Sequence, residues 1–177
     1  MIRIKRIGMD EPLYAQAADL RTRVLLAPIG FSMQDYYDMA PGREERCEHF
    51  AAVFDHPSGE RVIAAATLLP PQTESDERFG KVQQVCVDPQ RQNEGVGRKL
   101  MIAIEARAFG DLNLPGLYCH AQLIAIPFYD RLGWTVASEL FNEAGIKHRR
   151  MEVLAPESGE PIDPELEFEL DEPTGLL

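Results

Sequence analysis

Polar and apolar residues alternate along this chain in two rhythms, one of period two and one of period three to four, as strands and half-buried helices do. Ile2, Ile4 and Ile7 predict a first strand. Pro12 then opens a helix in which Leu13, Ala17, Leu20 and Val24 recur until Pro28 and Gly30 stop it. Residues 31–45 are polar, spotted with aromatics and bounded by Pro41-Gly42, which predicts a loop with a short helix. Residues 47–54 and 61–69 read as strands joined through His56-Pro57-Ser58-Gly59-Glu60, hence a hairpin. A further strand at 79–87 ends at Asp88-Pro89, and 95–109 is the clearest helix, with Val96, Leu100, Ile104 and Ala108 on its apolar face. Residues 117–121 predict a strand with Leu117, Cys119 and Ala121 on one face and Tyr118, His120 and Gln122 on the other. A short helix at 125–132, with a core stripe of Ile124, Phe128 and Leu132, ends at Gly133; 134–140 and 147–154 are candidate final strands. Strand and helix patterns alternate without repeats, so the fold class is mixed α/β.

The 177 residues, 45% of them apolar, fit one domain with a core of its own and length left for a tail. Residues 1–154 are expected to form that domain. Residues 155–177 form an acidic tail, in which Glu165-Leu166-Glu167-Phe168-Glu169-Leu170 alternates as an added edge strand would. That tail holds eight carboxylates and no Lys or Arg, so most of the net charge of −11 belongs to it. The acidity argues against nucleic acid as a partner, because phosphates need a basic surface. No run approaches the roughly 18 apolar residues of a membrane span, and the N-terminus has no apolar signal core. No membrane partner and a cytoplasmic location are therefore expected. Cys47, Cys86 and Cys119 are odd in number and lack metal-knot spacing, which predicts free thiols and no metal.

The chemistry is concentrated in Val85-Cys86-Val87-Asp88-Pro89-Gln90-Arg91-Gln92-Asn93-Glu94-Gly95-Val96-Gly97, which runs from strand through a polar turn into a helix. The first N–H groups of a helix have no partner inside it, and the helix dipole favours an anion there. A diphosphate at that end receives several donors at once, and Arg91, Arg98 and Lys99 lie nearby. A P-loop is excluded because Gly97 is followed by Arg98-Lys99-Leu100. A dinucleotide fingerprint needs a third glycine where Leu100 stands. Taken alone, Gly95 and Gly97 are better read as small residues easing helix packing.

One strand later comes Ala125-Ile126-Pro127-Phe128-Tyr129-Asp130-Arg131-Leu132-Gly133-Trp134. Gln92, Gly95 and Gly97, followed by Ala125, Phe128, Tyr129, Gly133 and Trp134, resemble in order and spacing the two signature motifs of the GNAT superfamily of N-acetyltransferases. Leu20-Arg21, His120-Ala121-Gln122 and Gly145-Ile146 with His148 suggest a bacterial branch of it. The resemblance implies a central mixed sheet of six to seven strands flanked by helices, with acetyl-CoA as cosubstrate lying between two splayed parallel strands. It implies that the main chain of Val85, Cys86 and Val87 pairs with the pantetheine amides, and that Gln92, Asn93, Glu94, Gly95, Val96, Gly97 and Arg98 wrap the pyrophosphate. Gln122 stands where many members carry an asparagine that contacts the pantetheine.

The implied reaction is direct attack of a small-molecule or peptide amine on the thioester. Tyr129 matches the family's general acid. His120 is the first candidate for the base, on the shared face with Tyr118 and Gln122, and His49, Glu48 and His148 are lesser ones. Cys86 and Cys119 read as buried structural thiols rather than acyl carriers. The acceptor site is expected from 31–46 and the final strands, where Asp35, Asp38, Glu44 and Glu45 are either a lure for a cationic amine or a solvated loop. A homodimer is compatible with this reading. So is a second function, a catalytically weak acyl-CoA-binding or sensor protein on the same fold.

Overall fold

The computed structural model describes residues 1–73 and 78–157. The predicted edge strand at 165–170 lies outside the described residues. Five helices and eight strands follow in the order β1 (Ile2–Ile7), α1 (Pro12–Arg21), α2 (Met33–Met39), α3 (Arg43–Arg46), β2 (Glu48–His56), β3 (Gly59–Leu69), β4 (Gly80–Val87), α4 (Val96–Ala106), β5 (Gly116–Gln122), α5 (Ile126–Arg131), β6 (Thr135–Val136), β7 (Phe141–Glu143) and β8 (Ile146–Leu154). All strands join one sheet in the order β1-β2-β3-β4-β5-β8-β6, with β7 also on β8. Every pairing is antiparallel except β4 with β5. Among the described residues, no helix is long and apolar enough to cross a membrane.

The sheet divides two cores. On one side α4, α5 and the turn after α5 press Leu100, Met101, Ile104, Tyr129 and Trp134 against Leu68, Val82, Leu117, Cys119 and Ala121. On the other, α1 sets Leu13, Ala17 and Leu20 on Ala51, Val53, Val62, Ala65 and Cys86. Alanines 51, 52, 64, 65 and 66 are all buried in the middle of β2 and β3. Small side chains on both faces of these strands let both layers come close, as in any strand covered on two sides.

Where the sequence expectations differ from the structure, local chemistry explains the difference. The helix from Pro12 is α-helical to Arg21 and widens at Thr22–Leu26. Residues 31–46 hold two short helices, the first opened by a capping box in which Ser32 Oγ accepts from Asp35 N–H and Asp35 accepts from Ser32 N–H. The strand expected over 134–140 pairs only at Thr135–Val136 and resumes as β7. Between them Ser138 Oγ takes the N–H of Arg150 at 2.8 Å, replacing a ladder bond and lifting the chain off β8.

Of the expected stripe of Ile124, Phe128 and Leu132, the last two pack partly buried against the core and the first does not. Ile124 is 88% exposed, whereas Tyr129 is 6% exposed and belongs to the core. The cause is a tight three-residue turn at Leu123–Ala125, which rotates the following helix relative to an α-helical continuation.

Candidate functional site

Strands β4 and β5 pair only at Gly80 with Leu117 and Lys81 with Tyr118, and then diverge. The parting begins where β4 bulges. Ala65 and Thr67 of β3 face Cys86 and Gln83, one residue too many on β4, and Gln84 takes a φ of 55°. Beyond the bulge, Asp88 N–H donates to Ile63 carbonyl at 2.8 Å. Ladder bonds alternate along an antiparallel strand, so Cys86 faces β3 and the main chain of Val85 and Val87 turns toward the gap. The Gln92 side-chain amide covers the Val87 carbonyl at 3.3 Å.

The strand then enters the turn through Asp88, whose side chain accepts from Gln90 N–H at 2.9 Å, and Arg91 N–H closes on Asp88 carbonyl at 2.8 Å. Asn93 and Gly95 have φ of 63° and 76°, left-handed values that suit asparagine and glycine. Gly95 caps α4, its carbonyl accepting from Lys99 N–H at 3.1 Å. Among the described residues, no backbone N–H of Gln92, Asn93, Glu94, Gly95, Val96 or Gly97 donates to a turn, loop or cap hydrogen bond.

The two glycines do different work. A Cβ on Gly95 would meet nothing within 4 Å, whereas one on Gly97 would lie 3.2 Å from the Phe128 ring and 3.3 Å from Val87. Gly97 therefore sets the close approach of α4 to α5, and Gly95 sets the turn. Arg91 is drawn to Glu94 at 3.2 Å and over the Phe54 ring.

Tyr129, from α5, sits among Phe128 and Trp134 with ring centroids 5.1 and 5.3 Å away, and its hydroxyl is hydrogen-bonded to the Cys119 thiol. Burial, then the thiol, holds the phenol protonated well above its usual range. Burial also pushes the Cys119 and Cys86 thiols up to about 12, so neither is a nucleophile at neutral pH. Trp134 Nε1 donates to Glu105 at 2.7 Å, and burial raises that carboxyl's pKa above its ordinary value.

The opposite face of β5 carries the other predicted residues. His120 Nδ1 lies 3.0 Å from Glu143 Oε1, and its ring lies 4.9 Å from Phe141 and 5.9 Å from Tyr118. The hydrogen bond to His120 holds the Glu143 carboxyl below its usual range, with burial opposing. An ionised carboxylate only accepts, so in the neutral ring Nδ1 carries the proton and the lone pair lies on Nε2. His148 stacks on Phe141, bonds the Ile146 carbonyl through Nδ1 at 2.8 Å, and has Nε2 4.0 Å from Glu143. Gln122 ends β5 opposite His148.

The remaining candidates are engaged elsewhere. Glu48 pairs with Arg107 at 2.8 and 2.9 Å. His49 is buried against Tyr14, its Nε2 on the Glu44 carbonyl at 3.1 Å, and burial lowers its pKa. Asp35 caps α2 and Asp38 accepts from Gln34. Glu44, read as part of a solvated loop, is 3% exposed and grips Arg21 with both oxygens, at 2.5 and 3.1 Å.

A family model for the Acetyltransferase (GNAT) domain matches residues 49–155. The chain belongs to the GNAT acetyltransferase family. It is similar to YjcF, an uncharacterised N-acetyltransferase of Bacillus subtilis, at 34% identity over 61% of this chain and 71% of that one. Among solved structures it resembles an acyl-CoA N-acyltransferase from Pseudomonas aeruginosa, with a TM-score of 0.63, 24% identity, and 86% of this chain and 97% of that one covered. Escherichia coli ElaA matches with a TM-score of 0.65, at 22% identity over 86% and 99% of the two chains. As a GNAT-family N-acetyltransferase the protein is an enzyme of acyl-CoA-dependent acetyl transfer.

For this acetyltransferase, sequence reading missed one member of the polar cluster, Glu143. The signal was faint: Glu143-Ala144-Gly145-Ile146 is a hairpin turn, with φ of 49° and 76° at Ala144 and Gly145. Nothing in the sequence says that this turn folds back beside β5.

Proposed function

We propose that this GNAT enzyme moves an acetyl group from acetyl-CoA to a primary amine by direct attack, with the cosubstrate in the gap between β4 and β5. One observation carries the reading. A bulged strand with main chain turned into the gap leads straight into a turn and helix start where, among the described residues, the N–H groups of residues 92–97 donate to no turn, loop or cap carbonyl. The pantetheine amides pair with Val85 and Val87, the two residues beside the β3-facing Cys86. The pyrophosphate takes the N–H groups of Gln92, Asn93, Glu94, Gly95, Val96 and Gly97, with Arg98 beside them at the dipole's positive end. Gln122, at the end of β5, borders the pantetheine from the far strand.

In the chemical step, His120 Nε2 removes the amine proton while Glu143 holds the imidazole in the required tautomer. The amine nitrogen bonds to the thioester carbon and the carbon–sulfur bond breaks. The electron pair leaves on sulfur, and Tyr129 hydrogen-bonds to or protonates it. Burial keeps that hydroxyl protonated, and its present partner, the Cys119 thiol, is a weak acceptor that a thiolate outcompetes.

Calorimetric titration with acetyl-CoA and a thioester-cleavage screen of amines test the reading. Tyr129→Phe is expected to lower kcat by about 10²-fold, the usual size of an acid-base contribution, with acetyl-CoA affinity nearly unchanged. Parental kcat in that variant would remove the acid role, and absence of acetyl-CoA binding by the parent would remove the transferase reading altogether.

A further inference from the structure

Two partly buried cations, Lys81 on the face of the sheet that carries His120 and Arg43 on α3, have no ion-pair partner among the described residues. The Lys81 ammonium lies 5.9 Å from the centre of the Tyr118 ring. The Arg43 guanidinium stacks 4.6 Å over Tyr36, its Nε buried without a hydrogen-bond acceptor. Other cations nearby are matched by carboxylates. Arg21 is held by Glu44 and Arg150 by Glu152 at 2.6 Å. In a chain of net charge −11, these two partly buried cations have no carboxylate against them among the described residues.

Lys81 also lines a pocket of about 240 Å³ with Leu69, Pro70, Pro71, Gln72, Phe79 and Tyr118. Its register partner on β5 is Tyr118, and His120 follows two residues later on the same face, roughly 7 Å along the strand. Pocket and base thus lie in line along β5, where the strands begin to part. Burial pushes the ammonium's pKa down, Glu143 pulls it back up, and the charges of Arg43 and Arg150 push it down again. An anion arriving beside Lys81 relieves both the burial and the repulsion.

We infer that the acceptor amine carries an anionic group, received by Lys81 with Arg43 in support, while its amine is presented to His120. This rests on the transferase reading above and narrows it. Amino acids, peptides with a nearby carboxylate and phosphorylated amines fit, whereas polyamines and aminoglycosides meet two like charges at the site's entrance. The prolines and aromatic rings of the pocket suit an apolar or aromatic body between the two ends.

Paired acceptors test the inference: tyrosine against tyramine, and phosphoethanolamine against ethanolamine. The pairs also distinguish a carboxylate from a phosphate as the favoured anion. Acetyl-CoA turnover is expected to favour at least one anionic member by tenfold or more in kcat/KM. In Lys81→Met that preference is expected to fall to about twofold or less, through KM. Preference for the amines that lack an anionic group, an undiminished preference in Lys81→Met, or loss of acetyl-CoA affinity in that variant would each overturn the inference. If no amine is turned over, calorimetry of tyrosine and phosphoethanolamine on the CoA-saturated parent and on Lys81→Met decides. Binding by the parent that is lost in the variant supports the anion site, and no binding by the parent refutes it. The two readings fail separately. A parent that does not bind acetyl-CoA but binds tyrosine through Lys81 loses the transfer chemistry and keeps the anion site.

Discussion

Replacing Glu44 by leucine isolates the buried charge pair that joins α1 to α3. The Arg21 and Glu44 side chains are 1% and 3% exposed and meet through two hydrogen bonds, and Glu44 also accepts from Tyr14 at 2.8 Å. In Glu44→Leu the guanidinium stays buried with no anion. Breaking one side of such a pair costs about 3–5 kcal/mol. For a domain of this size each kcal/mol is worth roughly 2–4 °C, so a fall in Tm of about 6–20 °C is expected in a calorimetric scan. Replacing both partners removes the stranded charge, so Arg21→Met/Glu44→Leu is expected to recover most of that loss. The pH dependence follows from Glu44. Burial raises its pKa, but the bonds and charge of Arg21 outweigh this and hold the carboxyl below its ordinary value. The pair's contribution is therefore complete above the unfolded value of ~4.3 and disappears as pH falls toward the folded one. Acidification should lower the parent's Tm more steeply than that of the double variant. A Glu44→Leu loss under about 3 °C, or parallel acid profiles, would show that the pair contributes nothing to holding α1 to α3. Because Arg21 Nε reaches Gln84 at the β4 bulge, at 3.4 Å, acetyl-CoA affinity in the same variants reports whether the bulge depends on the pair.

Gly97→Val should lower stability by about 1–3 kcal/mol, since even a Cβ there lies 3.2–3.3 Å from Phe128 and Val87 and a branched side chain overpacks the site. Denaturant melts measure this, and an unchanged midpoint would mean that α4 and α5 have room to separate. Cys86 and Cys119, with thiols pushed up to about 12, should resist iodoacetamide at pH 8, where only roughly one thiol in 10⁴ is ionised. Mass spectrometry should find both alkylated only after unfolding; rapid labelling of either in the native protein would contradict the core described for β4 and β5.

The elements that read correctly from sequence are those whose signal is local. The period-two runs of β1 to β5, the turn before Gly59 and the apolar face of α4 each declare themselves within a dozen residues. The turn between β4 and α4 was legible for the same reason, because strand, polar turn and glycine-bearing helix start are consecutive. The side chain most misread was Tyr129. It was placed off the core stripe by helical periodicity, and a three-residue turn at Leu123–Ala125 shifts the phase and buries it. Glu44 was misread for a different reason, since an acid in a polar loop looks solvated until α1 supplies Arg21 from 23 residues away.

The polar cluster at His120 shows the limit most clearly, because its meaning depends on strand order. His120 comes from β5 and Glu143 from the hairpin into β8, and β8 inserts between β5 and β6. That insertion pairs Gln122 with His148 on one edge and Phe141 with His148 on the other. It brings the Glu143 carboxylate and the Phe141 ring to the same imidazole. A histidine alone on a strand face has no fixed tautomer and no reason to act as a base. Given a carboxylate on Nδ1, it has both. The fold thus converts an unremarkable residue into a candidate catalyst by a pairing across 23 positions. Glu143→Gln tests that dependence directly, because the amide can donate to Nδ1 and so allow the opposite tautomer. Turnover is expected to fall by about 10²-fold, toward the loss seen on removing a general base. Retention of the parental rate would mean that the amine reaches the thioester without help from this pair.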